Sequence, residues 1–304
     1  MAKIIYIGNF QPSHSTENHM SNSIESLGHR VTRMQENAVC FADILAEQKD
    51  NDFILYTRTW DTIGGDRDDF LAAKKLPLVG FSLDIWWGLA RQAEVEKQLF
   101  FKSDYLFTAD GGHGPEFHRA GINHTWLTPG VYRPECYIAE KNPEYEYDVI
   151  FVGSYGYHEE YPYRPQLIDW LRETYGDRFR LYGSGGECVR GHMLNEVYAS
   201  AKVVVGDSYE SPNYWSDRVP ETLGRGGFLI HPYTQGMDME YVEGRHYVAY
   251  SRGDFEQLGR IIDLYVANES ARERIRLLGH DHVINKHTYA HRAGTLIDKM
   301  GRVL

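Results

Sequence analysis

A carboxylate, an arginine and a glycine pair crowd into SDRVPETLGRGGFLIHP, residues 216 to 232. Pro220 suits the first turn of a helix, where a missing N–H leaves nothing unsatisfied, and Ser216 or Asp217 is placed to cap that turn. The unpaired N–H groups and positive dipole end of such a helix favour a phosphate. Arg218 at the same end adds charge-assisted hydrogen bonds to a diphosphate. Glu221, one turn in, offers two acceptor oxygens that match the vicinal hydroxyls of a ribose. Together they describe a candidate nucleotide-diphosphate site. The same residues have a plainer reading, with Glu221 complementing the helix dipole and Arg218 solvated, and the spacing alone leaves both open.

Two further stretches put glycine directly after an apolar run. FVGSYGYHEEYPYRPQL (151 to 167) brings Gly153 and Ser154 to the end of a strand, and Arg164 opens the following helix within reach of the same phosphates. LYGSGGE (181 to 187) repeats the pattern through Tyr182 and Gly183, with main chain placed to face a base. Both also serve as ordinary strand-to-helix connections.

The elements that must hold these residues alternate. Strands are expected at 4–8, 53–57, 78–83 and 105–109, with helices near 18–27, 38–48, 68–75 and 87–100 between them. The rhythm restarts after the polar stretch 134–147: strands at 148–154, 179–183, 203–207 and 228–232, helices near 165–175 and 193–201. Three helical patterns follow, at 254–267, 270–285 and 291–300. Strands that alternate with helices imply parallel sheets covered on both faces. The expected fold class is α/β, two Rossmann-like doubly wound domains facing a cleft, with residues 1–138 as one domain and 139–288 as the other. The stretch 289–304 is expected as a C-terminal helix that crosses back to the first domain.

Bulk composition narrows the function. The chain of 304 residues is 42% hydrophobic, carries a formal net charge of −11, and has no apolar run near the ~18 residues that span a bilayer. The charge argues against a protein that coats nucleic acid, though a local basic groove from Lys74, Lys75, Arg91 and Arg119 stays open. Cys40, Cys136 and Cys188 lie far apart, which suits free thiols in a reducing compartment and not a disulfide frame or zinc site. MAKIIYIGNF lacks the features of a signal peptide and reads as the first strand of a cytoplasmic protein. The H-E-x-x-H, G-x-x-x-x-G-K-[ST], G-x-S-x-G and G-x-G-x-x-G signatures are missing, which excludes the common zinc-protease, P-loop, serine-hydrolase and dinucleotide patterns.

From Glu196 to about Arg292 the chain resembles the C-terminal donor domain of GT-B glycosyltransferases, in the group 1-like branch that includes spore-maturation and phage proteins. VYASAKVVVGD, SDRVPETLGRGGFLIHPYTQGMDMEYVEGRHYVAY and LLGHDHVINKHTYAHRAGTLI carry the resemblance. It implies that Glu221 holds the ribose of a nucleotide sugar and that the loop after the FVGS strand lies by the diphosphate. The implied donor set is Gly153, Ser154, Arg164, Tyr182, Gly183, Arg218 and Glu221, with a UDP-sugar as substrate, no cofactor and no metal. The N-terminal half resembles the family less distinctly, through KIIYIGN, STENHMSNSIESLGH and LTPGVYRP. One departure stands out: where many retaining relatives have a glutamate, eight positions before the ribose glutamate, this chain has Asn213.

The acceptor then falls to the first domain, on loops at the carboxyl ends of its strands. His14 and Glu17 follow the first strand; Asp84 and Trp86 follow FSL; Asp110 and His113 follow YLFTA. An inverting transfer needs a base for the acceptor hydroxyl, and Asp84, with His113 behind it, is the expectation. A polyol, a glycan, a protein hydroxyl and a hydroxymethylated DNA base, as on modified phage DNA, are all acceptors this chemistry permits. The competing readings are a nucleotide-sugar-binding module without transfer, favoured by Asn213, and a sugar-nucleotide epimerase. DRDD (66–69) contains the D-x-D letters of a metal motif but precedes a helical pattern, so helix-terminal charge accounts for it. HDH (280–282) and HTYAH (287–291) are expected on the surface of a charged helix.

Overall fold

The computed structural model describes all residues except 58–62, 96, 157–160, 184–186 and 304. The chain divides into two compact units, Met1–Thr128 with Tyr289–Leu304, and Pro129–Thr288. The expected division after residue 138 falls inside the second unit. Asn195 explains why 129–138 belongs there: its side-chain amide donates to the carbonyls of Glu135 (2.8 Å) and Tyr137 (2.7 Å).

In the first unit the elements run β1 (Lys3–Gly8), α1 (Thr16–Ser26), β2 (Arg30–Gln35), α2 (Phe41–Ala46), β3 (Phe53–Thr57), α3 (Arg67–Ala73), β4 (Leu78–Ser82), β5 (Tyr105–Thr108), α4 (Gly114–Arg119) and β6 (His124–Trp126). In the second they run β7 (Val149–Val152), α5 (Tyr163–Tyr175), β8 (Phe179–Tyr182), α6 (Gly191–Ser200), β9 (Val203–Val205), α7 (Arg218–Gly224), β10 (Leu229–Pro232), β11 (Val248–Tyr250), α8 (Phe255–Ala267) and α9 (Glu269–Lys286). The last helix, α10 (Tyr289–Gly301), packs on α1 in the first unit.

Every strand pairing is parallel, in the orders β2-β1-β3-β4-β5-β6 and β8-β7-β9-β10-β11. Both sheets therefore reverse direction of growth once, between β1 and β3 and between β7 and β9. Ligands of open α/β sheets bind outside the carboxyl ends of the strands at such a switch point. Buried aliphatic strands explain the pattern: β3 and β4 are buried at every position, because helices cover both faces. In the second unit, Val149, Phe151, Leu167, Ile168, Val203, Ile230 and Ile262 share one fully buried cluster.

Several expectations change. Among the described residues of 87–100 no continuous helix forms. Gly88 adopts φ +77°, its N–H bonds to Gln92 Oε1 at 3.0 Å, and only short 3-10 turns follow at Ala90–Glu94 and Leu99–Lys102. The helix expected over 38–48 shortens to α2, because Cys40 is extended and pairs with Gly64. β6 carried no sequence signal; it is three residues long. Asp66 caps α3, accepting from the amides of Asp68 and Asp69 at 2.9 Å, so DRDD is helix-terminal charge.

Of the histidines of HDH and HTYAH, His291 is exposed as expected, but His280, His282 and His287 are drawn into the fold. His287 is buried, its Nε2 3.0 Å from His282 Nε2, and its ring stacks on Tyr241 at 4.5 Å. His282 stacks in turn on His246 at 3.9 Å, and His280 Nδ1 lies 2.9 Å from the Gly224 carbonyl. Neutral imidazole packs as a small aromatic, which a charge-based reading of α9 misses.

Candidate functional site

The second unit gathers its chemistry at the carboxyl ends of β7, β8 and β9. The Gly153 amide donates to the Tyr182 carbonyl (2.8 Å), so the chain ends beyond β7 and β8 stay zipped. Gly183, at φ +121°, approaches so closely that a Cβ there would sit 2.4 Å from the Gly153 carbonyl oxygen. A Cβ on Gly153 would lie 3.2 Å from Arg218 Nη1, which places the Arg218 guanidinium against the strand end. Only glycine permits both approaches. The Tyr182 ring, by contrast, is buried edge-on to Tyr145, so this residue presents backbone and not a side chain to the site.

Arg164 was expected to reach for phosphate. It is buried, and its Nε lies 3.0 and 2.9 Å from the two carboxylate oxygens of Asp207, with Nη1 3.4 Å from Ser154 Oγ. Arg164 thus ties α5 to the end of β9 across the switch point, and Ser154 joins the same group. A buried pair of this kind persists because removing either partner strands a charge.

Glu221 is half-buried on α7, its Oε1 3.5 Å from Arg225 Nε. Arg225 is the anchor that sequence reasoning missed. It is 3% exposed, pairs with Glu135, and donates from Nη1 to Asn195 Oδ1 (2.5 Å) and the Gly191 carbonyl (3.2 Å). Its only sequence signal is the i,i+4 spacing from Glu221. Burial raises the Glu221 carboxyl above its ordinary value, and the Arg225 guanidinium pulls it back. The expected Ser216 or Asp217 cap is not made. Asp217 is itself helical and makes no side-chain cap bond, and Ser216 Oγ donates to the Asp207 carbonyl (3.3 Å). Asn213 sits in the left-handed region at φ 53°, its amide N–H bonded to the Gln235 carbonyl. Residues 184–186 of LYGSGGE and 157–160 after FVGS lie outside the described residues.

In the first unit, Glu17 is buried beside β1, and a Cβ on Gly8 would meet its Cγ at 2.4 Å. Desolvation raises its carboxyl. His14 is exposed on the loop that leads into α1. Trp86 is buried edge-on to Phe101 with the Arg91 guanidinium 5.1 Å from its ring centre, so it packs the core and offers no open face. Asp84 is half-exposed and 3.9 Å from Arg91 Nη1. His113 Nδ1 lies 2.9 Å from both oxygens of Asp110, which is wholly buried. The hydrogen bond to that carboxylate raises the imidazole above its ordinary value. Of the four candidate groove cations, Lys74 pairs with Asp104, Arg91 with Asp84 and Arg119 with Glu116. Among the described residues, no cluster of three or more His, Cys, Asp or Glu side chains is placed to hold a metal ion.

Two doubly wound parallel sheets of this order are the GT-B fold, and solved glycosyltransferases share it over the whole chain. An α-glucosyltransferase in complex with UDP and a 13-mer DNA containing an HMU base matches with a TM-score of 0.73 at 9% identity, covering 99% of each chain. Sucrose-phosphate synthase from Thermosynechococcus elongatus gives 0.68 at 11% identity over 100% of each chain. HepE from Anabaena, in complex with UDP and glucose, gives 0.67 at 10% identity over 99% of this chain and 100% of its own. No curated protein sequence matches.

The family model described as glycosyl transferase-like matches residues 164–298, from the start of α5 into α10. Over that stretch, under half of the chain, the sequence is similar to glycosyl transferase-like proteins, and the fold of the whole is GT-B.

Proposed function

We propose that the chain moves a sugar from a UDP-sugar to a hydroxyl acceptor, without a metal, and that the second unit holds the donor. One observation carries this reading: Arg225 holds Glu221 on α7, while Arg218 lies against Gly153 at the β7/β9 switch point. Glu221 is positioned to accept from ribose hydroxyls, and Arg218 to meet diphosphate oxygens where glycine lets them approach the backbone. As the sugar–phosphate bond breaks, charge grows on the diphosphate, and a preorganised guanidinium stabilises it without reorganising. Arg164 and Asp207 keep the strand ends in register beneath. The solved relatives with bound UDP favour uridine as the nucleotide.

His14, Glu17, Asp84 and His113 lie after strands of the first unit and form the acceptor side. His113, oriented by Asp110, has the arrangement of a base better than Asp84, which faces Arg91. A glycan or small-molecule hydroxyl is favoured over DNA, because three of the four candidate groove cations face carboxylates and the net charge is −11. Calorimetric titration with UDP-glucose in EDTA tests the donor reading: wild type binds and Glu221→Ala binds more weakly. Absence of binding by wild type to every UDP-, GDP- and TDP-sugar overturns it. With an acceptor panel, release of UDP marks a transferase, an altered sugar marks an epimerase, and binding alone marks the module.

A further inference from the structure

We propose that Glu210, held by Arg252, reads the sugar of the donor and favours a neutral, hydroxyl-bearing sugar over an acidic one. The inference rests on the donor reading above and extends it from the nucleotide to the transferred group. It starts from the strand order β8-β7-β9, in which neighbouring strand ends lie about 4.8 Å apart. With the base at the Gly183 end of β8 and the diphosphate at Gly153 and Arg218 beyond β7, an extended nucleotide sugar carries its sugar on toward β9. The chain that leaves β9 at that edge is the segment 206–217, which leads into α7.

That segment is tied down at Ser208. Its carbonyl accepts from the Tyr161 hydroxyl (2.6 Å) and from Arg252 Nη2 (3.1 Å), and its own hydroxyl accepts the Ser216 N–H at 2.9 Å. Arg252 Nη1 donates to the same Tyr161 hydroxyl, and the guanidinium lies 4.9 Å from the centre of the Tyr163 ring. The Tyr209 ring packs on Tyr161 at 5.5 Å, which pins the residue before Glu210. With both Nη atoms committed, Arg252 Nε makes no hydrogen bond among the described residues and lies 3.6 Å from Glu210 Oε2. The arginine side chain is 14% exposed and the glutamate 76%, so a largely buried cation holds a carboxylate that stays open to solvent. Two other polar side chains of the segment are spoken for. Asp207 is wholly buried against Arg164, and Asn213 turns its carboxamide onto Gly236, where a Cβ would collide with Oδ1. A carboxylate only accepts, and sugar hydroxyls donate to it in charge-assisted bonds. A uronic acid brings a second negative charge to the same place and is repelled. Arg252 is then a positioning residue, acting through Glu210.

The test is calorimetric titration of the full-length protein with UDP, UDP-glucose and UDP-glucuronate. Glu210→Gln should bind UDP as wild type does, lose about 10-fold in affinity for UDP-glucose, and lose most of the wild-type preference for UDP-glucose over UDP-glucuronate. The substituted side chain is exposed, so the variant keeps the fold. Arg252→Met should show the same pattern at smaller amplitude, and Arg252→Lys, which keeps a cation beside Glu210, should recover part of the preference. Unchanged affinity of Glu210→Gln for UDP-glucose, or an equal loss for UDP, overturns the contact with the sugar. A wild type that binds UDP-glucuronate as well as UDP-glucose overturns the selectivity. Equal losses for UDP and UDP-glucose in Arg252→Met, or no loss of either, overturn the positioning role of Arg252. A wild type that binds none of the three overturns the donor reading itself, a result distinct from all of these.

Discussion

Acidification from pH 7 to 5 is expected to weaken the second unit through two buried histidines. His231 is enclosed within β10, its Nδ1 2.8 Å from the Pro232 carbonyl and its Nε2 2.9 Å from Ser208 Oγ. A carbonyl only accepts, so Nδ1 carries the proton and Nε2 accepts from the Ser208 hydroxyl. That hydroxyl itself accepts the Ser216 N–H at 2.9 Å. A proton on Nε2 would turn the hydroxyl away and leave a cation without water. Burial holds His231 at about 4, and His246, stacked on His282, likewise at about 4.

Both histidines titrate near 6.5 in an unfolded chain. The unfolded state binds more protons across the interval, so stability is lost as pH falls from about 6.5 toward about 4. At pH 5 each histidine costs about 2 kcal/mol and the pair about 4 kcal/mol, a large share of the ~5–15 kcal/mol that holds a domain together. Glu221, raised by burial, takes up a proton at the acid end and offsets a part. Urea unfolding followed by tryptophan fluorescence at the two pH values, at constant ionic strength, measures the difference. His246→Phe keeps an aromatic ring against His282 and should retain about half of the pH dependence. Equal wild-type stability at pH 5 and pH 7 would refute the reasoning. Because Ser208 and Ser216 lead into α7, UDP-glucose affinity should fall over the same interval.

Gly183→Ala puts a methyl 2.4 Å from a backbone oxygen at φ +121°. The chain must part by about 1 Å to reach ordinary contact, at a cost of ~2–4 kcal/mol in urea unfolding; a variant as stable as wild type contradicts the close approach. Arg225→Met leaves Glu135 and Asn195 without their donor and should cost ~3–5 kcal/mol while freeing Glu221; unchanged stability and affinity together would remove Arg225 from the site. Glu221→Ala should weaken UDP-glucose binding about 10- to 100-fold, the worth of charge-assisted hydrogen bonds to one ribose, and calorimetry reads it directly.

How far the sequence carried these conclusions varied with the range of the contacts involved. Strands buried on both faces announce themselves as unbroken aliphatic runs, and β1, β3, β4, β5 and β7 fall where those runs are. The short β6, HTW, lacks such a run and owes its strand state to β5 alone. The 87–100 region is rich in helix formers, yet a left-handed Gly88 and burial of Leu89, Leu99, Phe100 and Phe101 hold it in short turns. Tertiary burial outweighs propensities worth a few tenths of a kcal/mol per residue. The glycines after strands were legible for a different reason. Gly153 and Gly183 follow apolar runs directly, and only backbone that must approach other backbone needs them there.

Charged partners were the part hidden from sequence. Arg164 looks free beside a candidate phosphate loop until Asp207, 43 positions away, takes both of its carboxylate contacts. Arg225 sits four residues after Glu221, but its reason for being there is Glu135, 90 positions earlier. A local motif marks where a ligand could be met, since carboxyl ends of strands are fixed by alternation. Which charges remain to meet it depends on closures of long loops that leave no periodic trace. The same holds for Asp110 and His113, whose spacing of three is readable, while burial of one and partial exposure of the other is decided by β5, β6 and the 3-10 turns around them. Assigning chemistry in this fold therefore turns on finding the charged side chains that another residue has not already neutralised, and in the first unit His113 is the group whose pairing strengthens its basicity instead of consuming it.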